Sequence, residues 1–299
     1  MQTFKLLLFA AFLFTFAACE SEVPATETDA TETTEMEEAP VEKKAYKATA
    51  FAEATPTVDG QEIEYATDDT KMIGYLASDP EVKGKRPGVL VIHEWWGHND
   101  YARARADMLA ELGYVALAVD MYGDGKQANH PADAGKFSSA VVENMDAAKA
   151  RFEQAIKTLK ANPLVDGDKI AAVGYCFGGS IALAMANAGY DLDAVAAFHA
   201  GVQLPVMPST DTKVTANILV ANGAADPFIS PESVAQWSKA MDEAKVAYEY
   251  KAFEGVKHAF TDPGATEKGQ EFELPLEYSE KADRESWVML QELLAESFR

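Results

Sequence analysis

The chain has 299 residues, of which 48% are hydrophobic and 25% charged, with a formal net charge of -22. That is enough apolar material for one sizeable α/β core with flanking segments. The strongly acidic balance excludes a nucleic acid as partner, because phosphate binding needs clustered Lys and Arg.

Residues 1–19 read as a processing segment. Lys5 gives a short positive start, and an apolar run from Leu6 to Ala18 is broken only by Thr15. That run is too short to span a bilayer comfortably and suits a signal-peptide core. It ends Phe16-Ala17-Ala18-Cys19. Small residues just before a cysteine resemble a bacterial lipoprotein signal, in which the cysteine becomes the lipidated first residue of the mature chain. Phe16 stands where that pattern prefers Leu. The resemblance implies an exported protein held at the membrane of the bacterial cell envelope through Cys19 alone. Residues 20–45 follow as an acidic tether: Glu20 to Glu42 includes no Lys or Arg and little to bury, so its like charges repel and keep it extended.

A single folded domain is expected over residues 46–299. Gln61–Ala66 and Lys71–Ser78 alternate as two paired strands around a turn at Thr67–Thr70. Pro87–His93 is a continuous apolar run, as in a strand buried on both faces. Asp100–Leu112 reads as a helix capped by Asn99 and stopped by Gly113. Tyr114–Asp120 is a second buried strand, and Ala132–Leu159 is mostly helical. Further strands are expected at Lys169–Tyr175, Ala194–His199, Asn217–Asn222 and Tyr248–Phe253, with helices at Pro231–Ala244 and Tyr278–Phe298. Strands alternating with helices predict a mostly parallel sheet with helices on both faces.

The chemistry gathers where those strands end, which is where open α/β sheets bind ligands. The stretch Gly174-Tyr175-Cys176-Phe177-Gly178-Gly179 fits a G-x-nucleophile-x-G elbow, a sharp strand-to-helix turn that exposes its central side chain. Here that side chain is a thiol. With Cys19 lipidated, Cys176 has no disulfide partner in the mature chain, and an unpaired thiol in an exported protein is a candidate reactive group. Asp226 follows a later strand and His258 the last one, in the chain order nucleophile, acid, histidine of the α/β-hydrolases. A thiol attacks as thiolate, which a helix N-terminus and a nearby imidazole favour. His258 would be the base, and Asp226 would fix its tautomer.

Gly174 to Gly179, His93-Glu94-Trp95-Trp96-Gly97, Asp120-Met121-Tyr122 and Gly255-Val-Lys-His258-Ala-Phe260 together resemble the dienelactone hydrolase family over residues 58–298. The resemblance implies an α/β-hydrolase fold and a Cys176–His258–Asp226 triad. It also implies a role for Glu94 in contacting and activating the thiol. The amides of Phe177 and Trp95 would form an oxyanion hole, the pair of donors a tetrahedral oxyanion needs. Trp95 and Trp96 read equally as pocket wall or as packing, and Tyr122 as a pocket residue by its family position. Two arginines that hold the substrate carboxylate in the family are replaced by Asp124 and Asp262, so a neutral ester or lactone is expected in place of dienelactone itself. Arg105, Lys126 and Lys257 are the cations available to compensate.

His93 and His98 give the outline of a zinc-protease motif, but they lie five apart at a strand end and cannot share a helical face. No metal or cofactor is expected. His199 reads as structural, and His130 carries no assigned role. Two rival readings remain from the residues alone. One is a non-catalytic ligand-binding lipoprotein on the same fold. The other is a thiol redox protein, which the absence of a C-x-x-C motif disfavours. Oligomeric state is not legible.

Overall fold

The computed structural model describes residues 58–299. The expected signal segment with Cys19, and the acidic tether, lie outside the described residues. The elements run β1 (Asp59–Ala66), β2 (Lys71–Ser78), β3 (Arg86–Ile92), α1 (Asp100–Glu111), β4 (Val115–Val119), α2 (Pro131–Glu143), α3 (Met145–Ala161), β5 (Val165–Tyr175), α4 (Phe177–Asn187), β6 (Ala194–Phe198), β7 (Asn217–Gly223), α5 (Pro231–Glu243), β8 (Tyr248–Phe253), α6 (Ala265–Glu271) and α7 (Glu280–Ser297). One eight-stranded sheet has the order β1-β2-β4-β3-β5-β6-β7-β8. β1 and β2 pair antiparallel, and β2 joins β4 antiparallel; every other pairing is parallel. Among the described residues no helix is long and apolar enough to cross a membrane.

The central strands explain the two-sided architecture. Successive side chains point to opposite faces. In β3, Leu90 and Ile92 join the core under α3, α4 and α5, whereas Val89 and Val91 join the core under α1 and α7. β4 divides likewise, with Val115, Leu117 and Val119 on one side and Ala116 and Ala118 on the other. A strand that must satisfy two cores is apolar throughout, which is why these segments show no alternation.

Three differences from the sequence expectation have local causes. The long helical segment after Pro131 is two helices, because Asn144 leaves helical geometry (φ -124°, ψ 71°) and its side chain accepts from the Ala147 amide to cap α3. A polar side chain that bonds nearby backbone competes with helix continuation. β5 begins earlier than expected, and its register against β3 shifts between Pro87 and Gly88, so an irregular stretch precedes its apolar run. The short α6 has no counterpart among the expected elements. His130 also has a place: its ring accepts from the Ala132 amide at the start of α2.

Candidate active site

Cys176 sits between β5 and α4 with φ +53° and ψ -118°, a conformation L-residues avoid and which persists only where surroundings enforce it. The enforcement comes from close backbone packing. A Cβ on Gly174 would lie 2.2 Å from the Gly178 carbonyl oxygen, and one on Gly178 would lie 2.3 Å from that of Ile92. The Cys176 amide donates to the Phe198 carbonyl at 2.9 Å, which ties the turn to the end of β6. Phe177 opens α4, so its amide is among the first-turn donors that a helix leaves without an internal acceptor.

The other two groups arrive from neighbouring strand ends. Asp226 follows β7, is buried, and accepts from the Phe228 amide at 2.9 Å and from His258 Nδ1 at 2.6 Å. The loop that follows β8 presses on Gly223, where a Cβ would meet the Val256 carbonyl oxygen at 2.2 Å. Ala259 turns this loop with φ +59°, and the Glu277 amide holds the His258 carbonyl at 3.1 Å. His258 also hydrogen-bonds Cys176, which completes a chain from Asp226 through the imidazole to sulfur. Burial alone would lower the His258 pKa. The Cys176 charge, the hydrogen bonds to Asp226 and Cys176, and the Asp226 charge outweigh it and push it up to about 10. The arrangement therefore favours a protonated His258 ring.

Glu94 follows β3 and is 2% exposed. Burial first, and then Asp262, raises its pKa to about 7, against the opposing pull of Lys268, His258 and Arg105. The thiol hydrogen-bonds His258, while the Glu94 carboxylate lies on the side of His199, with Oε1 4.0 Å from His199 Nδ1.

A cavity of about 600 Å³ opens above the thiol, lined among others by Trp95, Cys176, Phe177, Leu204, Phe228 and His258. Among the described residues neither Lys nor Arg lines it, and Glu143 is the one carboxylate that does. Trp95 and Phe177, whose amides are the expected oxyanion donors, both border it. Trp96 and Tyr122 do not. Trp96 packs with Phe272 and Ala265 and borders a separate polar notch. Tyr122 is buried against His93 and Phe177, where its hydroxyl donates to the Trp95 carbonyl at 2.9 Å. It supports the Trp95 peptide from behind.

Asp124 and Asp262 are likewise absent from the cavity. Asp124 is exposed and pairs with Lys126, whereas Asp262 is buried against Lys268 at 2.8 Å. Of the cations expected to compensate, Lys126 is spent on Asp124, Lys257 pairs with Glu277, and Arg105 is buried against Asp283. Two site-building residues were given no role from the sequence, although Asp120 belongs to the Asp120-Met121-Tyr122 motif. Asp120 accepts four backbone amides, those of Ile73, Tyr122, Gly123 and Gly125, and so shapes the loop beneath Tyr122. Asn222 both accepts from and donates to the Ala200 backbone, clamping the ends of β6 and β7. An acidic or amide side chain closing an apolar strand was the available signal.

A mostly parallel sheet, a strained thiol-bearing elbow, and an acid and a histidine on later strand ends define an α/β-hydrolase-type enzyme. Comparison with known proteins narrows this. The family profile described as "Dienelactone hydrolase family" matches residues 72–298. The chain is 34% identical over 206 residues to "Protein usf" of Aquifex pyrophilus, covering 67% of this chain and 87% of that one. It is 32% identical over 206 residues to a "Putative carboxymethylenebutenolidase" of Aquifex aeolicus, with the same coverage. A solved dienelactone hydrolase-like promiscuous phosphotriesterase from metagenomic libraries superposes with a TM-score of 0.73 at 32% identity, over 80% of this chain and 98% of that one. The chain belongs to the dienelactone hydrolase family and is a carboxylic ester hydrolase.

Proposed function

We propose that the protein hydrolyses a small neutral ester or lactone through a thioacyl-enzyme on Cys176. The observation that carries this reading is the buried Asp226–His258 hydrogen bond, with the half-buried Cys176 thiol beside the imidazole in the lining of an apolar cavity. The thiolate attacks the acyl carbon, and a C–S bond forms as the carbonyl electrons move onto oxygen. The amides of Phe177 and Trp95 receive that oxyanion. The His258 imidazolium gives its proton to the leaving alcohol as the C–O bond breaks, and Asp226 holds the ring in the tautomer this requires. Water, deprotonated by the now neutral His258, then attacks the thioester carbon; the C–S bond breaks, the acid leaves and the Cys176 thiolate is regenerated beside the reprotonated imidazole. Glu94 belongs to this machinery as a buried carboxyl beside the thiol–imidazole pair.

Among the described residues the cavity has no Lys or Arg to clamp a substrate carboxylate, and this favours neutral substrates. Repulsion by Asp124 and Asp262 plays no part in that preference, because both side chains lie elsewhere. The chain is also proposed to be an envelope lipoprotein attached through Cys19, on the strength of its leading residues; membrane partition of the wild type beside Cys19→Ala tests that.

The test of function is turnover of a panel of neutral esters and lactones by the wild type and by Cys176→Ala. A stoichiometric burst with an activated ester, and a mass increase equal to the acyl group, are expected for the wild type alone. Full turnover by Cys176→Ala would refute the mechanism. A burst-free wild type that binds esters would favour a binding protein, and peroxide consumption would favour a thiol redox protein.

A further inference from the structure

His199 follows β6 directly and is fully buried, with φ +39°. Its ring packs edge-on against His258, with centroids 5.2 Å apart. Its Nε2 lies 2.7 Å from Thr261 Oγ1, which in turn lies 2.6 Å from the Tyr101 hydroxyl. Its Nδ1 is buried without a hydrogen-bond partner, as is Glu94 Oε2, and Nδ1 is 4.0 Å from Glu94 Oε1. Unpaired buried polar atoms are costly, so an unpaired ring nitrogen 4.0 Å from a carboxylate that itself has an unpaired oxygen calls for a joint explanation.

Proton counting supplies one. Tyr101 carries one hydroxyl proton and has Thr261 Oγ1 as its polar neighbour, so Tyr101 donates to Thr261. Thr261 carries one proton, and its other hydroxyl neighbour is His199 Nε2, so Thr261 donates there. A neutral imidazole that accepts at Nε2 carries its proton on Nδ1. Burial, His258 and Arg105 all disfavour a second proton on His199. The relay therefore ends in an N–H donor directed at the Glu94 carboxylate.

We propose that His199 is a positioning residue for this hydrolysis: its Nδ1–H takes up the Glu94 carboxylate and holds it away from Cys176, which leaves the thiol to His258. The inference rests on the reading of Cys176 as nucleophile. A modest rotation of Glu94 closes the 4.0 Å gap to hydrogen-bond length. The charged and titratable groups around the pair are Asp262 and Lys268 from the α6 side, Arg105 and Tyr101 from α1, Tyr175 from β5, and His258. Tyr175 also holds a buried hydroxyl without a partner, but it is His199 whose unpaired ring nitrogen lies 4.0 Å from the carboxylate.

The two amide variants separate this role from simple packing. In His199→Asn the amide sits where Nδ1 was, keeps a donor for Glu94, and tolerates positive φ. In His199→Gln the amide reaches the Nε2 position, serves Thr261, and leaves Glu94 without its donor. The readout is the rate of Cys176 alkylation by iodoacetamide from pH 5 to 9. The wild type should show an inflection near pH 7 that Glu94→Gln abolishes. His199→Gln should move it upward by roughly one pH unit, since loss of a donor disfavours the carboxylate. His199→Asn should leave it within a few tenths of a unit. Equal shifts in both variants, or none in His199→Gln, would overturn the proposal.

A second measurement needs no substitution. In wild-type protein with 15N-labelled histidine, His199 should be the Nδ1–H tautomer at pH 7. An Nε2–H tautomer would sink the relay. Neither readout depends on turnover, so failure here is distinct from failure of Cys176→Ala to abolish hydrolysis.

Discussion

Replacing Asp226 by Asn tests the site at its most buried contact. The amide is nearly isosteric, and Oδ1 keeps its bond from the Phe228 amide. The atom facing His258 Nδ1 at 2.6 Å, however, becomes an N–H donor. It forces the imidazole to carry its proton on Nε2, against the sulfur, where His258 cannot serve as base. The lost charge attraction is at most about 6 kcal/mol at 2.6 Å and an effective dielectric of 20. If the amide dipole returns half, the net loss of about 3 kcal/mol brings the His258 pKa down by roughly two units. Turnover on a neutral activated ester should fall on the order of 10³–10⁴-fold, the scale of a wrong-tautomer defect in a triad. Steady-state kcat/KM across pH 5–10, with thermal unfolding as a check on folding, measures both effects. An Asp226→Asn enzyme within about threefold of wild type, with an unmoved pH profile, would refute the reasoning.

Other outcomes follow from the same geometry. Glu94 is buried, and its pKa is raised from 4.5 to about 7. The unfolded chain releases this proton first as pH rises, so the folded state loses stability between about pH 4.5 and 7. Glu94→Gln should then raise stability at pH 8 by on the order of 3 kcal/mol, with the gain vanishing near pH 4; equal Tm shifts at both pH values would contradict this. A neutral ester should exceed its carboxylate analogue about tenfold in kcat/KM, roughly 1.4 kcal/mol. Glu143→Lys should narrow that gap in low salt, because Glu143 is the sole carboxylate lining the cavity among the described residues. Gly178→Ala would press a methyl onto the Ile92 and His93 carbonyls. A loss of about 3 kcal/mol, or roughly 6–12 °C in Tm, is expected in a melting curve.

Much of this arrangement was legible because a few physical constraints leave direct marks on sequence. Two-sided burial writes continuous apolar strands, as at Val89–Ile92 and Val115–Val119. A strained elbow demands glycines at fixed offsets, as at Gly174 and Gly178. What stayed hidden depends on contacts between distant segments. Trp96 and Tyr122 neighbour site residues in sequence yet point behind the cavity wall, since chain proximity does not fix side-chain direction. Asp124 and Asp262 occupy positions that matter in the family, but local ion pairs with Lys126 and Lys268 hold them elsewhere. His199 read as structural because the relay that orients it is assembled from afar: Thr261 is 62 residues from His199, and Tyr101 is 160 from Thr261. The break at Asn144 is a single capping choice inside a stretch with helical composition.

The helix that walls the cavity is built very differently from the one that carries the thiol's turn. α4 is buried along nearly its whole length, whereas α2 buries only Ala134 and Val141. Yet α2 supplies Ser138, Ser139, Val142 and Glu143 to the cavity lining. Exposed positions tolerate exchange at about 0.5 kcal/mol or less, and core positions do not. The acceptor side of this enzyme can therefore drift, or be redesigned, almost independently of its reacting groups. A library confined to the exposed Ser139, Val142 and Glu143, leaving half-buried Ser138 on its Ala134 carbonyl, samples new substrates while the fold's stability margin stays intact, so catalytic competence and substrate choice are separately evolvable in this chain.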